Sequence, residues 1–248
     1  MHELYTVLAG YYDAIYSRRV QDIEKEIDFV ESIFMEDAKK EVKKVLDLAC
    51  GTGIPTLEMV GRGYEVLGVD LHEEMLEVAR RKAKNCQNVS FMQGDALEIA
   101  FREEFDAATM FFSSIMYFDE EAIKRLFSSV VGAIREGGVF IADFPNPLVM
   151  KSSGPFVWDE KRGDETLIIT DWRELENASQ RLHFKRLVQI LKPSGEVRAF
   201  YVHDILNLYT PREMRLLARE YFSDVKIYGD LKRELGGNAR RFWLVGVK

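Results

Sequence analysis

At 248 residues, with 47% hydrophobic and 12% aromatic content, the chain can bury a full α/β core and is too apolar to be disordered. A net charge of −7 argues against broad nucleic-acid binding, because affinity for a nucleic-acid backbone comes from neutralised phosphates. Two cysteines, Cys50 and Cys86, and four scattered histidines supply neither a disulfide framework nor a metal-ligand spacing, so no metal is expected. No apolar run is long enough to span a bilayer, and the opening residues lack the basic and apolar segments of a secretory leader. A cytoplasmic location is the expectation.

In chain order, residues 2–17 and 20–36 read as two helices. In the second, Ile23, Ile27, Val30 and Phe34 recur at helical spacing with acids between them. A strand is predicted at 43–49, a helix at 54–62, a strand at 64–70, a helix at 72–84, and strands at 88–93 and 105–112. A helix at 119–135 is expected to stop at Gly137-Gly138, with a strand over 138–144. This alternation implies a parallel sheet with right-handed crossovers. From about 155 to 206 the pattern has period two, with runs Thr166–Arg173, Arg181–Leu191 and Glu196–Leu206. Lys192-Pro193-Ser194-Gly195 suits a tight turn. The expected product is an antiparallel β insertion beside the main sheet. A helix over 211–221, opened by Thr210 and Pro211, and strands near 224–229 and 240–247 complete the chain. Basic clusters at 39–44, 80–84 and 240–241 read as solvated helix ends.

The most informative stretch is Val45-Leu46-Asp47-Leu48-Ala49-Cys50-Gly51-Thr52-Gly53. It reads as a buried strand running into a glycine turn and then a helix. Such a turn, at the C-terminal end of a parallel strand, is where open α/β sheets bind ligands. Three acids lie in register with it: Asp47 inside the strand, Asp70 ending the second strand, and Asp95 following the third. A dinucleotide site would want a third glycine at position 56, which is Thr here, and a carboxylate at position 47 would repel a pyrophosphate. The P-loop pattern is absent.

This constellation resembles the class I S-adenosylmethionine-dependent methyltransferases, over most of residues 40–145. The resemblance implies a doubly wound, Rossmann-like, seven-stranded α/β sheet whose last strand, Arg241 to Val247, is antiparallel. It implies one domain over 1–248: an N-terminal helical lid (1–38), a cofactor-binding core (39–147), a β insertion on the acceptor side (148–209) and the C-terminal part of the sheet (210–248). S-adenosylmethionine is the implied cofactor. Its amino-acid end would lie at Ala49, Gly51 and Gly53, with Asp47 facing the ammonium or bracing the turn. Asp70 would accept both ribose hydroxyls, which a carboxylate's two oxygens permit. Leu71 would lie along the adenine, Asp95 and Ala96 would bond its edge, and Phe111 would complete the site.

Gly10 to Arg19 resembles the lid helix of small-molecule methyltransferases, especially sugar-amine N-methyltransferases, with Tyr16 and Arg19 in the place of residues that reach the cofactor carboxylate. Arg18 and Val20 replace glycines of that pattern. The end of the fourth strand, Met110-Phe111-Phe112-Ser113-Ser114, lacks the motif of nucleobase and amide methyltransferases and the aspartate of metal-dependent catechol-type enzymes. A metal-independent transfer to a small-molecule N, O or C nucleophile is therefore expected. RNA or protein methylation, or a non-catalytic cofactor-binding module, are the alternatives. If the acceptor must lose a proton, the candidate bases are His203, Tyr117 and Tyr201. The face Val197, Ala199, Tyr201, His203 and Ile205 is expected to turn inward, and Phe156, Trp158 and Trp172 either line the acceptor pocket or are plain core.

Overall fold

The computed structural model describes residues 4–248. A seven-stranded sheet is built from β1 (Lys44–Leu48), β2 (Glu65–Asp70), β3 (Val89–Gln93), β4 (Phe105–Met110), β5 (Ile134–Pro145), β10 (Asp224–Gly229) and β11 (Arg241–Val247). Its order is β10-β11-β5-β4-β1-β2-β3. β11 runs antiparallel to both neighbours, as expected, and the other pairs are parallel. The connections reverse direction between β1 and β4, and open sheets bind ligands at such a crevice.

The central strands are buried on both faces, so their sequences are nearly continuous apolar runs. Adjacent residues feed opposite layers: Val45, Ala107 and Ile141 pack in one core, and Leu46, Ala108 and Phe140 in the other. The first layer holds α3 (Ile23–Glu36), α4 (Ile54–Gly61) and α5 (Glu73–Lys82). The second holds α6 (Glu120–Ala133) and α7 (Pro211–Ala218). Helix α7 opens with the expected cap, which is a full capping box between Thr210 and Glu213.

A second sheet, order β6-β7-β8-β9, is antiparallel throughout: β6 (Ser153–Arg162), β7 (Glu165–Glu176), β8 (Arg181–Leu191) and β9 (Val197–Asn207). Strand β6 was not delimited in the sequence, where Pro155 and alternating charges obscure it. Gly195 N–H donates to Lys192 O across the Lys192–Gly195 turn, with Pro193 in its second position.

Two expectations fail. Helix α6 ends at Ala133, and Gly137-Gly138 lie inside β5 rather than stopping the helix. They serve a bulge at which Phe105 pairs with Ile134 but Ala107 with Val139. Gly137 sits at φ +79°, and a Cβ on Gly138 would come within 2.6 Å of Asp106 O. The single helix over 2–17 is also absent. Its first residues lie outside the described ones, and the rest is a 3₁₀ turn (Ala9–Tyr11) followed by α1 (Tyr12–Ile15) and α2 (Ser17–Val20). Among the described residues no helix is long and apolar enough to cross a membrane.

Candidate active site

The turn after β1 is shaped by left-handed backbone at Ala49 (φ +53°), Gly51 (φ +57°) and Gly53 (φ +75°). Asp70, at the end of β2, organises it. One carboxylate oxygen accepts from Gly51 N–H at 2.8 Å and the other from His72 N–H at 2.9 Å. The Asp70 carbonyl accepts from Gly94 N–H at 2.9 Å, which draws the end of β3 to the same point. His72, not Asp70, is the N-cap residue of α5. Asp95 accepts from Leu97 N–H through one oxygen, at 2.9 Å.

These groups line one side of a cavity of about 860 Å³. Ala49, Gly51, Asp70, Leu71, Asp95 and Ala96 all face it. The N-terminal segment closes it. Asp13 accepts from Thr52 Oγ1 at 2.5 Å and pairs with Lys82 at 2.6 Å. On the other flank Tyr11 donates to Glu165 at 2.9 Å and Ser17 to Glu160 at 2.5 Å, both on the second sheet. Tyr16 and Arg19 line the cavity. The Arg19 guanidinium pairs with Glu26 at 3.0 Å and lies over the Phe112 ring at 4.9 Å.

The inner face of the second sheet forms the opposite wall, with Trp158, Asp171, Phe184, Arg186 and Leu206. Between the two sides, Tyr117 donates to Asp204 at 2.9 Å and meets Tyr5 OH at 2.6 Å. Burial, then the negative charge of Asp204, push the Tyr117 phenol well up.

Several sequence-stated site residues lie elsewhere. Asp47 is fully buried behind the turn and does not face the cavity. Its carboxylate accepts from Thr56 at 2.5 Å and Thr109 at 2.9 Å, so of its two suggested roles the geometry gives the brace. Burial pushes it up to about 7, against the pull of the two hydroxyls. A Cβ on Gly53 would meet Phe91 and Ala79, so that glycine serves helix packing and does not line the cavity. Phe111 is core, edge-on to Trp243, and it is Phe112 that faces the cavity. The left-handed pair Phe112–Ser113 makes this switch, pinned by Ser113 N–H and Oγ on Asp143 and by Arg241 on both.

His203 and Tyr201 are corrected outright. Both are exposed on the outer face of β9, with His203 Nε2 3.2 Å from His183 Nδ1. The inward face carries Phe200, Val202, Asp204 and Leu206 instead. Both faces of β9 hold apolar residues, so alternation alone did not orient it. The signal that was available is a charge set in an apolar period-two face. Asp204, Asp171 (after Leu167 and Ile169) and Arg186 (between Leu182 and Val188) share that pattern, and each is buried. Phe156 and Trp158 line the cavity; Trp172 does not.

A sheet of this order is Rossmann-like, with the turn after β1 at its switch point and acids at the ends of β2 and β3. Residues 45–138 match the model of a family described as a methyltransferase domain. A putative methyltransferase of Geobacillus is 30% identical over 141 residues, covering 56% of each chain. The chain spans about half the length of the curated relatives it matches. Among solved structures, an S-adenosylmethionine-dependent methyltransferase from Clostridium acetobutylicum superposes with TM-score 0.80 at 20% identity, over 97% of both chains. The sugar N-methyltransferase KedS8 from Streptoalloteichus gives 0.81 at 20%, over 96% of this chain and 92% of that one. At such identities these two establish a shared fold.

Proposed function

We propose that this protein transfers the methyl group of S-adenosylmethionine to a small molecule held between the turn after β1 and the second sheet. The observation that carries the reading is one cavity lined on one side by Gly51, Asp70 and Asp95 and on the other by the inner face of the insertion. The residues fit the cofactor. Gly51 allows close backbone approach, each Asp70 oxygen keeps a lone pair beside the amide it holds, and Asp95 presents an oxygen with no protein partner among the described residues. The cofactor supplies an activated methyl on a sulfonium, so the protein's part is alignment and exclusion of water. Closure by the N-terminal segment, with Tyr5 against Tyr117, favours a small acceptor over a polymer. Where the acceptor must lose a proton, Tyr117 would take it and pass its own to Asp204, to which it already donates. Metal independence is part of the proposal. It rests on the side chains at the end of β4, Met110-Phe111-Phe112-Ser113-Ser114, which include no carboxylate. The same reading divides the chain into lid (1–38), cofactor core (39–147), acceptor insertion (148–209) and sheet completion (210–248). The sugar N-methyltransferase likeness agrees with a small-molecule acceptor.

Isothermal titration of S-adenosylhomocysteine tests the site. Binding at about micromolar strength or better is expected, near −8 kcal/mol. Asp70→Ala should weaken it on the order of a hundredfold, through the lost ribose bonds and a loosened Gly51 turn. Binding of NADH or ATP in its place would overturn the reading.

A further inference from the structure

We propose that the free edge of β9 pairs with β9 of a second copy of this chain, antiparallel and centred on Tyr201, so that two insertions join into one continuous sheet. This goes beyond the methyl-transfer reading and does not depend on it. Two bonds fix which groups of β9 are free. Lys192 N–H donates to Glu196 O at 3.0 Å and Leu208 N–H to Gln180 O at 2.8 Å, at opposite ends of the β8–β9 pair. Between them the pairing is one-to-one, from Leu191 opposite Val197 to Arg181 opposite Asn207. Bonded and non-bonded positions alternate along an antiparallel ladder, so the even-numbered residues of β9 bond to β8. Ala199, Tyr201, His203 and Ile205 therefore point their N–H and C=O groups away from the sheet. β9 is its last strand, and among the described residues no backbone bond reaches those groups.

The two edges of this sheet are built differently. β6, at the other edge, carries Pro155, a register shift between Ser153 and Phe156, and the charged run Asp159-Glu160-Lys161-Arg162. Proline, irregular pairing and charge are the means by which native edges resist pairing. β9 has 11 residues with no proline, no lysine and no bulge against β8. Its outer face sets Val197, Tyr201 and Ile205 each at least half exposed. A long apolar edge without such protection is a liability in a monomer, and pairing removes it.

The occupant is a second copy because β9 complements itself. Only odd-numbered residues can bond across the new edge, so a two-fold axis must fall on a residue and not between two. Centred on Tyr201, Val197 faces Ile205, Phe200 faces Val202 and Arg198 faces Asp204, each pair occurring twice. Centred on Phe200, Glu196 would face Asp204, two like charges, and Arg198 would face Val202. Centred on Val202, Arg198 would face Leu206 and Asp204 would face Phe200. Of the three, the Tyr201 register sets opposite charges across from each other, which stabilises a strand pair where like charges destabilise it. It also places Tyr201 against its own copy on the outer face, and facing aromatic residues strengthen a strand pair.

Sedimentation equilibrium of the full chain tests the pairing, with a mass of twice the chain expected at micromolar concentration. Tyr201→Lys puts two ammonium groups on the axis, and Arg198→Asp puts a carboxylate opposite Asp204 twice. Each should weaken dimerisation by about tenfold or more with the circular dichroism unchanged. The register has its own test. Cys86 is exposed and Cys50 buried, so a Cys86→Ser background leaves an added cysteine as the reactive one. In it Tyr201→Cys should give a covalent dimer with a short bis-maleimide, and Ser194→Cys, at the far end of the strand, should not. A monomer at every concentration overturns the proposal. So does a dimer that neither charge variant weakens, or one in which the cysteine at 201 fails to crosslink.

Discussion

Asp47 is the residue whose sequence position and structural role diverge most. It sits in the motif strand, yet its carboxylate is enclosed by Thr56 and Thr109 and is pushed up to about 7 by burial. The folded value lies above the unfolded 3.8, so the folded state holds the proton more tightly. Its contribution to stability is therefore full at low pH, declines as pH rises from about 4 to 7, and levels off above that. The decline amounts to about 4 kcal/mol at most. Asp47→Asn keeps both hydroxyl contacts and should remove this component, so thermal melts between pH 5 and 8 should be flatter for the variant than for wild type. Tyr117 makes the second residue-scale prediction. Tyr117→Phe removes the hydroxyl between the cavity and Asp204, and turnover of a protonated acceptor should fall by about a hundredfold with S-adenosylhomocysteine affinity unchanged. A loss confined to KM would assign Tyr117 to positioning alone.

At the scale of elements, the parallel sheet was legible because its signals are local. Apolar runs, the Gly51 turn and the acids at 70 and 95 each mark a strand end. The capping box at Thr210 and the turn at Pro193 are equally local, and the structure contains both. What resisted reading depends on packing between elements. The orientation of β9 is decided by Leu167, Ile169, Val188 and Val202 gathering under the N-terminal segment, which no window within β9 encodes. The switch from Phe111 to Phe112 depends on Asp143 and Arg241, far away in sequence. The N-terminal segment itself is a run of short turns with Leu4, Leu8, Tyr12 and Ile15 buried, held by side-chain bonds to both walls. Such a segment opens more readily than a sheet strand. Amides of residues 5–19 should gain hydrogen-exchange protection when S-adenosylhomocysteine is added, while those of β1 and β4 stay fixed. Equal protection with and without ligand would make the segment permanent scaffold.

At the scale of the whole molecule, the two sheets are not separate bodies. One apolar cluster contains Val45, Ile141 and Val245 of the main sheet, Ile27 and Tyr12 of the N-terminal region, and Ile169, Val188 and Val202 of the insertion. A shared core couples their unfolding. Calorimetry should show one transition whose measured enthalpy equals its van't Hoff enthalpy; two resolved peaks would mean that the insertion melts alone.

The bonds from Tyr11 and Ser17 to Glu165 and Glu160, set against the bond from Asp13 to Thr52, also limit how such a protein can diversify. One short segment is fitted to two partners under different constraints. The Thr52 side must stay constant for any acceptor, because it abuts the cofactor turn. The Glu160 and Glu165 side belongs to the wall that would change with the acceptor. A chimera that replaces residues 153–207 alone would set Tyr11 and Ser17 against unfamiliar strands and open the closure. On the proposed function, acceptor range would therefore be inherited as a pair, insertion together with N-terminal segment, around a cofactor side that can remain untouched.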